Sequence, residues 1–127
     1  MEHKIKIERE IVATDRDIDD IMVSALEGGV TSYWCGKCEV VGGEYLGEYA
    51  SDQISRGGTL RFYDIEDETE HWDLDLQKFM HGLELYIQEE EYSYKIFDGA
   101  GIDPGQIDAC IADAIIQYGL FGQIVFG

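Results

Sequence analysis

The sequence predicts an α+β fold: one compact domain over residues 1–127, a mainly antiparallel sheet and about three helices, near 15–27, 75–88 and 104–118. Apolar periodicity alternates along the chain between the two-residue repeat of strands and the 3.6-residue repeat of helices. Hydrophobic residues make up 45% and aromatic residues 12% of a chain whose net charge is −18, which is too apolar for an acidic disordered segment. Finally, 127 residues is close to the commonest size of a single domain.

The elements follow in order. Residues 3–13 alternate Ile5 and Ile7 against Lys4, Lys6 and Glu8, the pattern of an opening strand. Thr14 or Asp15 then caps a helix with its apolar stripe at Ile18, Ile21, Met22, Ala25 and Leu26, and Gly28-Gly29 ends it. Residues 38–41 form a strand stopped by Gly42-Gly43, and 44–58 is the least regular stretch. Residues 59–65 and 70–74 read as a hairpin with Leu60 and Phe62 on one face and an acidic tip at 66–69. Asp75 caps the clearest helix, whose stripe is Leu76, Phe79, Met80, Leu83, Tyr86 and Ile87. Residues 92–97 read as a short strand. Asp103-Pro104 opens a third helix, with Ile107, Cys110, Ile111, Ala114, Ile115 and Tyr118 inward and Gly119 as its stop.

Charge is the most informative functional feature. Between Asp64 and Glu91 stand eleven acids and one base, Lys78. Seven of those acids, Asp64, Glu66, Asp67, Glu68, Glu70, Asp73 and Asp75, fall within twelve residues without a lysine or arginine among them. Alternate residues of a strand lie about 6.6 Å apart on one face, so a hairpin would display rows of anions comparable to nucleic-acid phosphates. Most charge runs only solvate a surface. Close like charges cost stability, however, which favours a binding role. The expected partner is a basic, nucleic-acid-binding protein, met by Glu66, Asp67, Glu68, Glu70, Glu89, Glu90 and Glu91. Direct binding to nucleic acid or to an anionic membrane is disfavoured by the same charge.

Other motifs are incomplete. Cys35 and Cys38 have the spacing of half a zinc knuckle, but no second ligand pair accompanies them. Cys110 sits on an apolar stripe and is expected to be buried. Asp15, Asp17 and Asp19 start like a calcium loop, yet Asp20 stands where glycine is needed and Leu26 where glutamate is needed. The glycines at 99, 101 and 105 are misspaced for a dinucleotide loop, and Asp103 would compete with a phosphate for the helix end. His71 and His81 adjoin no nucleophile, so no catalytic set emerges, and no metal or cofactor is expected. Three cysteines, an odd number, suit a reducing cytoplasm.

A second reading uses the middle of the chain. Arg56 and Arg61, with Tyr45 and Tyr49, could hold a nucleotide-like signal between subunits, arginine taking phosphate and tyrosine stacking on a base. The tyrosine-rich stretch 45–49 is also the candidate contact of a homodimer, which the sequence neither requires nor excludes.

The stretches ALEGGVTSYWC (25–35) and YGLFGQIVFG (118–127) resemble those of small uncharacterised proteins from phages and mobile elements of Firmicutes. The resemblance implies a phage origin and, by analogy, an inhibitor of host machinery of the anti-CRISPR kind, acting by nucleic-acid mimicry in the host cytoplasm. It assigns no functional residue.

Overall fold

The protein was analysed as a computed structural model, which describes residues 1–5, 8–31 and 33–127. Among these are three α-helices and two small antiparallel sheets. Thr14 closes a capping box at the start of α1 (Asp15–Ser24): its hydroxyl accepts from Asp17 N at 3.1 Å, and the Asp17 carboxylate accepts from Thr14 N at 2.9 Å. The helix widens into a π turn at Ala25–Gly29. Strands β1 (Cys35–Val40), β2 (Leu60–Asp64) and β3 (His71–Leu74) form the larger sheet in that order. Asp75 caps α2 (Leu76–Glu89), accepting from Lys78 N at 2.9 Å. The two-residue strands β4 (Phe97–Asp98) and β5 (Gly101–Ile102) pair, and α3 (Ala109–Phe121) closes the fold.

One face of the sheet, with Val40, Leu60, Phe62 and Leu74, packs into a core shared with Phe79 and Leu83 of α2 and Ile115 and Ile116 of α3. Helices α2 and α3 approach closely because both carry glycine at their crossing. A Cβ on Gly82 would press on the Ile115 carbonyl and lie 2.6 Å from Gly119 N; one on Gly119 would lie 2.6 Å from the Lys78 carbonyl oxygen. The tail beyond α3 folds back, and Phe126 stacks on Trp34 with ring centroids 5.3 Å apart.

Several sequence expectations are corrected. The opening strand is absent among the described residues: Ile5 is exposed, and the segment's ladder contact is one parallel bridge from Val12 to Gly101. Lys6 and Ile7 lie outside the described residues. Alternation specifies a face but supplies no partner, and a strand needs one. Residues 93–96 form a 3₁₀ turn, because Ser93 Oγ donates to Ile87 O at 2.8 Å and turns the chain at the end of α2. Asp103-Pro104 opens only a 3₁₀ turn (Pro104–Gln106), and Asp108 caps α3, accepting from Ile111 N at 2.8 Å. Gly119 lies inside that helix; Gly122, at φ 73°, ends it. Cys110 is exposed. The inward face of α3 is instead Ala112, Ile115 and Ile116, since the helix is wedged between α2 and the π turn, where Gly29 adjoins the Ala109 carbonyl.

Candidate functional site

The acidic hairpin forms, and its register assigns each carboxylate a place. Leu60 faces Leu74, Arg61 faces Asp73, Phe62 faces Trp72 and Tyr63 faces His71. Alternation then sends Leu60 and Phe62 into the core and Arg61 and Tyr63 to the outer face. The tip is pinned by its own acids. Asp64 accepts from Glu66 N at 2.7 Å, and Asp67 accepts from Thr69 N at 3.0 Å and from the Thr69 hydroxyl at 2.6 Å. The Thr69 hydroxyl, then its N–H, holds the Asp67 carboxyl below the usual aspartate range. Ile65 N donates to Trp34 O at 2.8 Å, tying the tip to the body.

The seven acids of 64–75 therefore do not form one free row. Asp64 and Asp67 build the turn, and Asp75 caps α2. Asp73 is not unpaired, as the local sequence suggested: Arg61 meets it with two bonds, at 2.7 and 3.0 Å, and lowers its carboxyl pKa. That partner comes from across the hairpin, beyond the reach of a local count. Glu66, Glu68 and Glu70 stay exposed, and no side-chain hydrogen bond engages their carboxylates among the described residues.

The second acidic group is carried by a different element. Glu89 is the last residue of α2, a helix of 14 residues and roughly 20 Å. Glu90 leaves the helix in an extended conformation and accepts from the Tyr118 hydroxyl at 2.9 Å. Burial first, and then this bond, push the Tyr118 hydroxyl up to about 12. The crowding of negative charge at the helix end is thus relieved by turning one glutamate onto α3, while Glu89 and Glu91 face solvent.

The residues of the second reading are differently committed. Tyr45 and Tyr49 are exposed on a loop whose shape is set by buried Gln53, which accepts from Leu46 N at 2.7 Å and donates to Tyr49 O at 2.6 Å. Arg56 Nε and Asp52 Oδ2 lie 2.8 and 3.0 Å from the point a Cβ on Gly47 would occupy, so this arginine has an aspartate beside it. Arg61 is occupied by Asp73 on the outer face of the sheet.

Sequence reading missed that outer face as a unit. Lys37 pairs with Glu39 at 3.1 Å and lies 5.2 Å from the Tyr63 ring centroid, and the Tyr63 hydroxyl donates to Glu39. The Tyr63 bond first, and then Lys37, lower the Glu39 pKa. Tyr63 meets His71 edge to face at 5.5 Å. Strand alternation carried the signal, since Lys37, Glu39, Arg61, Tyr63, His71 and Asp73 all fall opposite core positions. A second missed group, Asp113 between Trp34 Nε1 (2.6 Å) and Gln117 Nε2 (2.9 Å), had no signal beyond the i,i+4 spacing of Asp113 and Gln117.

Cys35 and Cys38 lie in β1, across a bulge. Cys35 is buried, with its thiol on Lys37 O at 3.0 Å; burial pushes the Cys38 thiol up to about 12. Among the described residues no group of three or more His, Cys, Asp or Glu is placed to hold a metal ion, and no helix is long and apolar enough to cross a membrane. No protein-family model, curated protein or solved structure matches the chain.

Proposed function

We propose that this protein is an inhibitor that occupies the basic nucleic-acid-binding groove of a host defence protein such as a CRISPR effector. The observation that carries the reading is the hairpin tip: Glu66, Glu68 and Glu70 are exposed, while Asp64 and Asp67 hydrogen-bond the turn that carries them. Anions carried on a hydrogen-bonded turn bind a basic groove with less backbone ordering cost than a flexible acidic tail would incur. Glu89 and Glu91 add charge from the end of α2. The excess of negative charge steers encounter with a cationic surface and makes association salt-sensitive.

The test is competition. Guide-loaded CRISPR effectors are mixed with the protein, and their binding to labelled target DNA is followed by fluorescence anisotropy. DNA binding should fall, and fall less as salt rises. The triple variant Glu66→Lys, Glu68→Lys, Glu70→Lys should inhibit roughly tenfold or more weakly at an unchanged melting temperature. Undiminished DNA binding across a panel of effectors would refute the proposal, and full potency of the variant would remove the hairpin from it.

A further inference from the structure

The apolar stripe of α2 is wider than α3 covers. Phe79, Leu83 and Tyr86 are buried, whereas Met80 and Ile87 flank them only half-buried. Beside them runs a groove of about 850 Å³ between α2 and residues 8–12. Met80, Ile87 and Phe97 form its floor, and Glu8, Glu10 and Glu84 stand on its rim. Its one basic lining residue among those described, Arg9, has its guanidinium carbon 4.7 Å from the Phe97 ring centroid.

We propose that this groove docks a basic amphipathic helix of a partner protein. Along α2 the lining runs from Met80 to Gln88, about 12 Å, which matches two turns of an incoming helix. An apolar floor between carboxylates complements a helix with an aliphatic face flanked by lysine or arginine. Met80 adapts its unbranched side chain to different apolar surfaces. A small polar ligand fits poorly: none of the buried polar side chains Ser51, Gln53, Ser93 and Gln117 lines the groove to orient one. A second copy is disfavoured by charge, since a symmetric contact would set Glu8, Glu10 and Glu84 of one groove against the same carboxylates of the other. The hairpin plays no part here, so the groove stands whether or not the hairpin binds a defence protein.

The probe is a fluorescein-labelled leucine–lysine amphipathic peptide of about 18 residues, long enough to hold a helix. A scrambled peptide of the same composition reports bulk charge. Anisotropy should show saturable binding of the amphipathic peptide and at least fivefold weaker binding of the scrambled one. Glu8→Lys, Glu10→Lys, Glu84→Lys together should weaken binding roughly tenfold. The hairpin triple variant, which changes net charge by the same amount, should bind like the wild type. Absence of saturable binding, equal binding of the scrambled peptide, or equal losses in the two triple variants would each overturn the proposal. So would sedimentation showing a dimer that the groove variant dissolves, because the occupant would then be a second copy.

Discussion

Replacing Gly82 with alanine should destabilise the protein, although the same change in an exposed helix stabilises it. Alanine is favoured over glycine in a helix interior by about 1 kcal/mol. At Gly82 the added methyl would press on the Ile115 carbonyl, 2.6 Å from Gly119 N and 2.8 Å from Gly119 Cα, where ordinary contact begins near 3.4 Å. The obstacles are backbone atoms of α3, which cannot rotate away, so the two helices must part by about 1 Å. A gap of that size forfeits a quarter to a half of each dispersion contact across it. The affected side chains include Phe79, Leu83, Ile115 and Ile116, all buried. Overpacking of this kind costs about 1–3 kcal/mol; against backbone that cannot yield, the upper part of that range, about 2–3 kcal/mol, applies and leaves about 1–2 kcal/mol of net destabilisation once propensity is counted. For a chain of this length the melting temperature should fall by about 3–10 °C. Urea and thermal unfolding followed by circular dichroism measure it, with Gly28→Ala as control, since a methyl there meets only Ala109 Cβ at 3.6 Å. Adding Gly119→Ala to Gly82→Ala should cost less than the sum of the single changes, because the first already separates the helices. A Gly82→Ala protein as stable as the wild type would refute the close-crossing argument.

Two further predictions concern titration and thiols. Burial raises the Asp113 carboxyl above the ordinary aspartate range, against the smaller opposing effects of its bonds from Trp34 and Gln117. A raised folded-state value means that its contribution is fullest at low pH and is lost as pH rises through that value. Thermal melts of the wild type and Asp113→Asn should therefore converge or reverse in favour of the wild type as pH falls through the mildly acidic range. The opposite trend would show that the hydrogen bonds outweigh burial. Ellman's reagent at neutral pH should label Cys110 at once and Cys35 and Cys38 only on unfolding, because one is buried and the other is held protonated. Near-stoichiometric zinc in protein purified without chelator, lost together with folding in Cys35→Ser, Cys38→Ser, would overturn the reading of these two as structural thiols.

Features governed by neighbours in sequence are legible in the chain itself. Asp75 and the stripe of α2 announce that helix, because a capping side chain and a 3.6-residue repeat act within a turn or two. Leu60 and Phe62, alternating before an acidic turn, announce the hairpin. Elements that need a distant partner are not legible in this way. The alternation of 3–13 finds no sheet edge, and Cys110 sits on a stripe that α3 turns to solvent because Ala112, Ile115 and Ile116 meet α2 and the π turn.

The acidic site divides along the same line. The composition, α1 and α2, the hairpin and the concentration of carboxylates in one half of the chain are legible without a fold, because they rest on local propensity or simple counting. Which of those carboxylates find a distant partner is settled by folding. Arg61 reaches Asp73 across paired strands and Tyr118 reaches Glu90 from α3, whereas Asp64 and Asp67 bond locally, two residues on, to shape the turn. Glu66, Glu68 and Glu70 are left outward. The groove beside Met80 and Ile87 likewise appeared only on folding, since α3 is too narrow to cover a stripe that the sequence presents as one continuous face. Partner and coverage depend on contacts between residues of different elements, which a count along one segment does not reach.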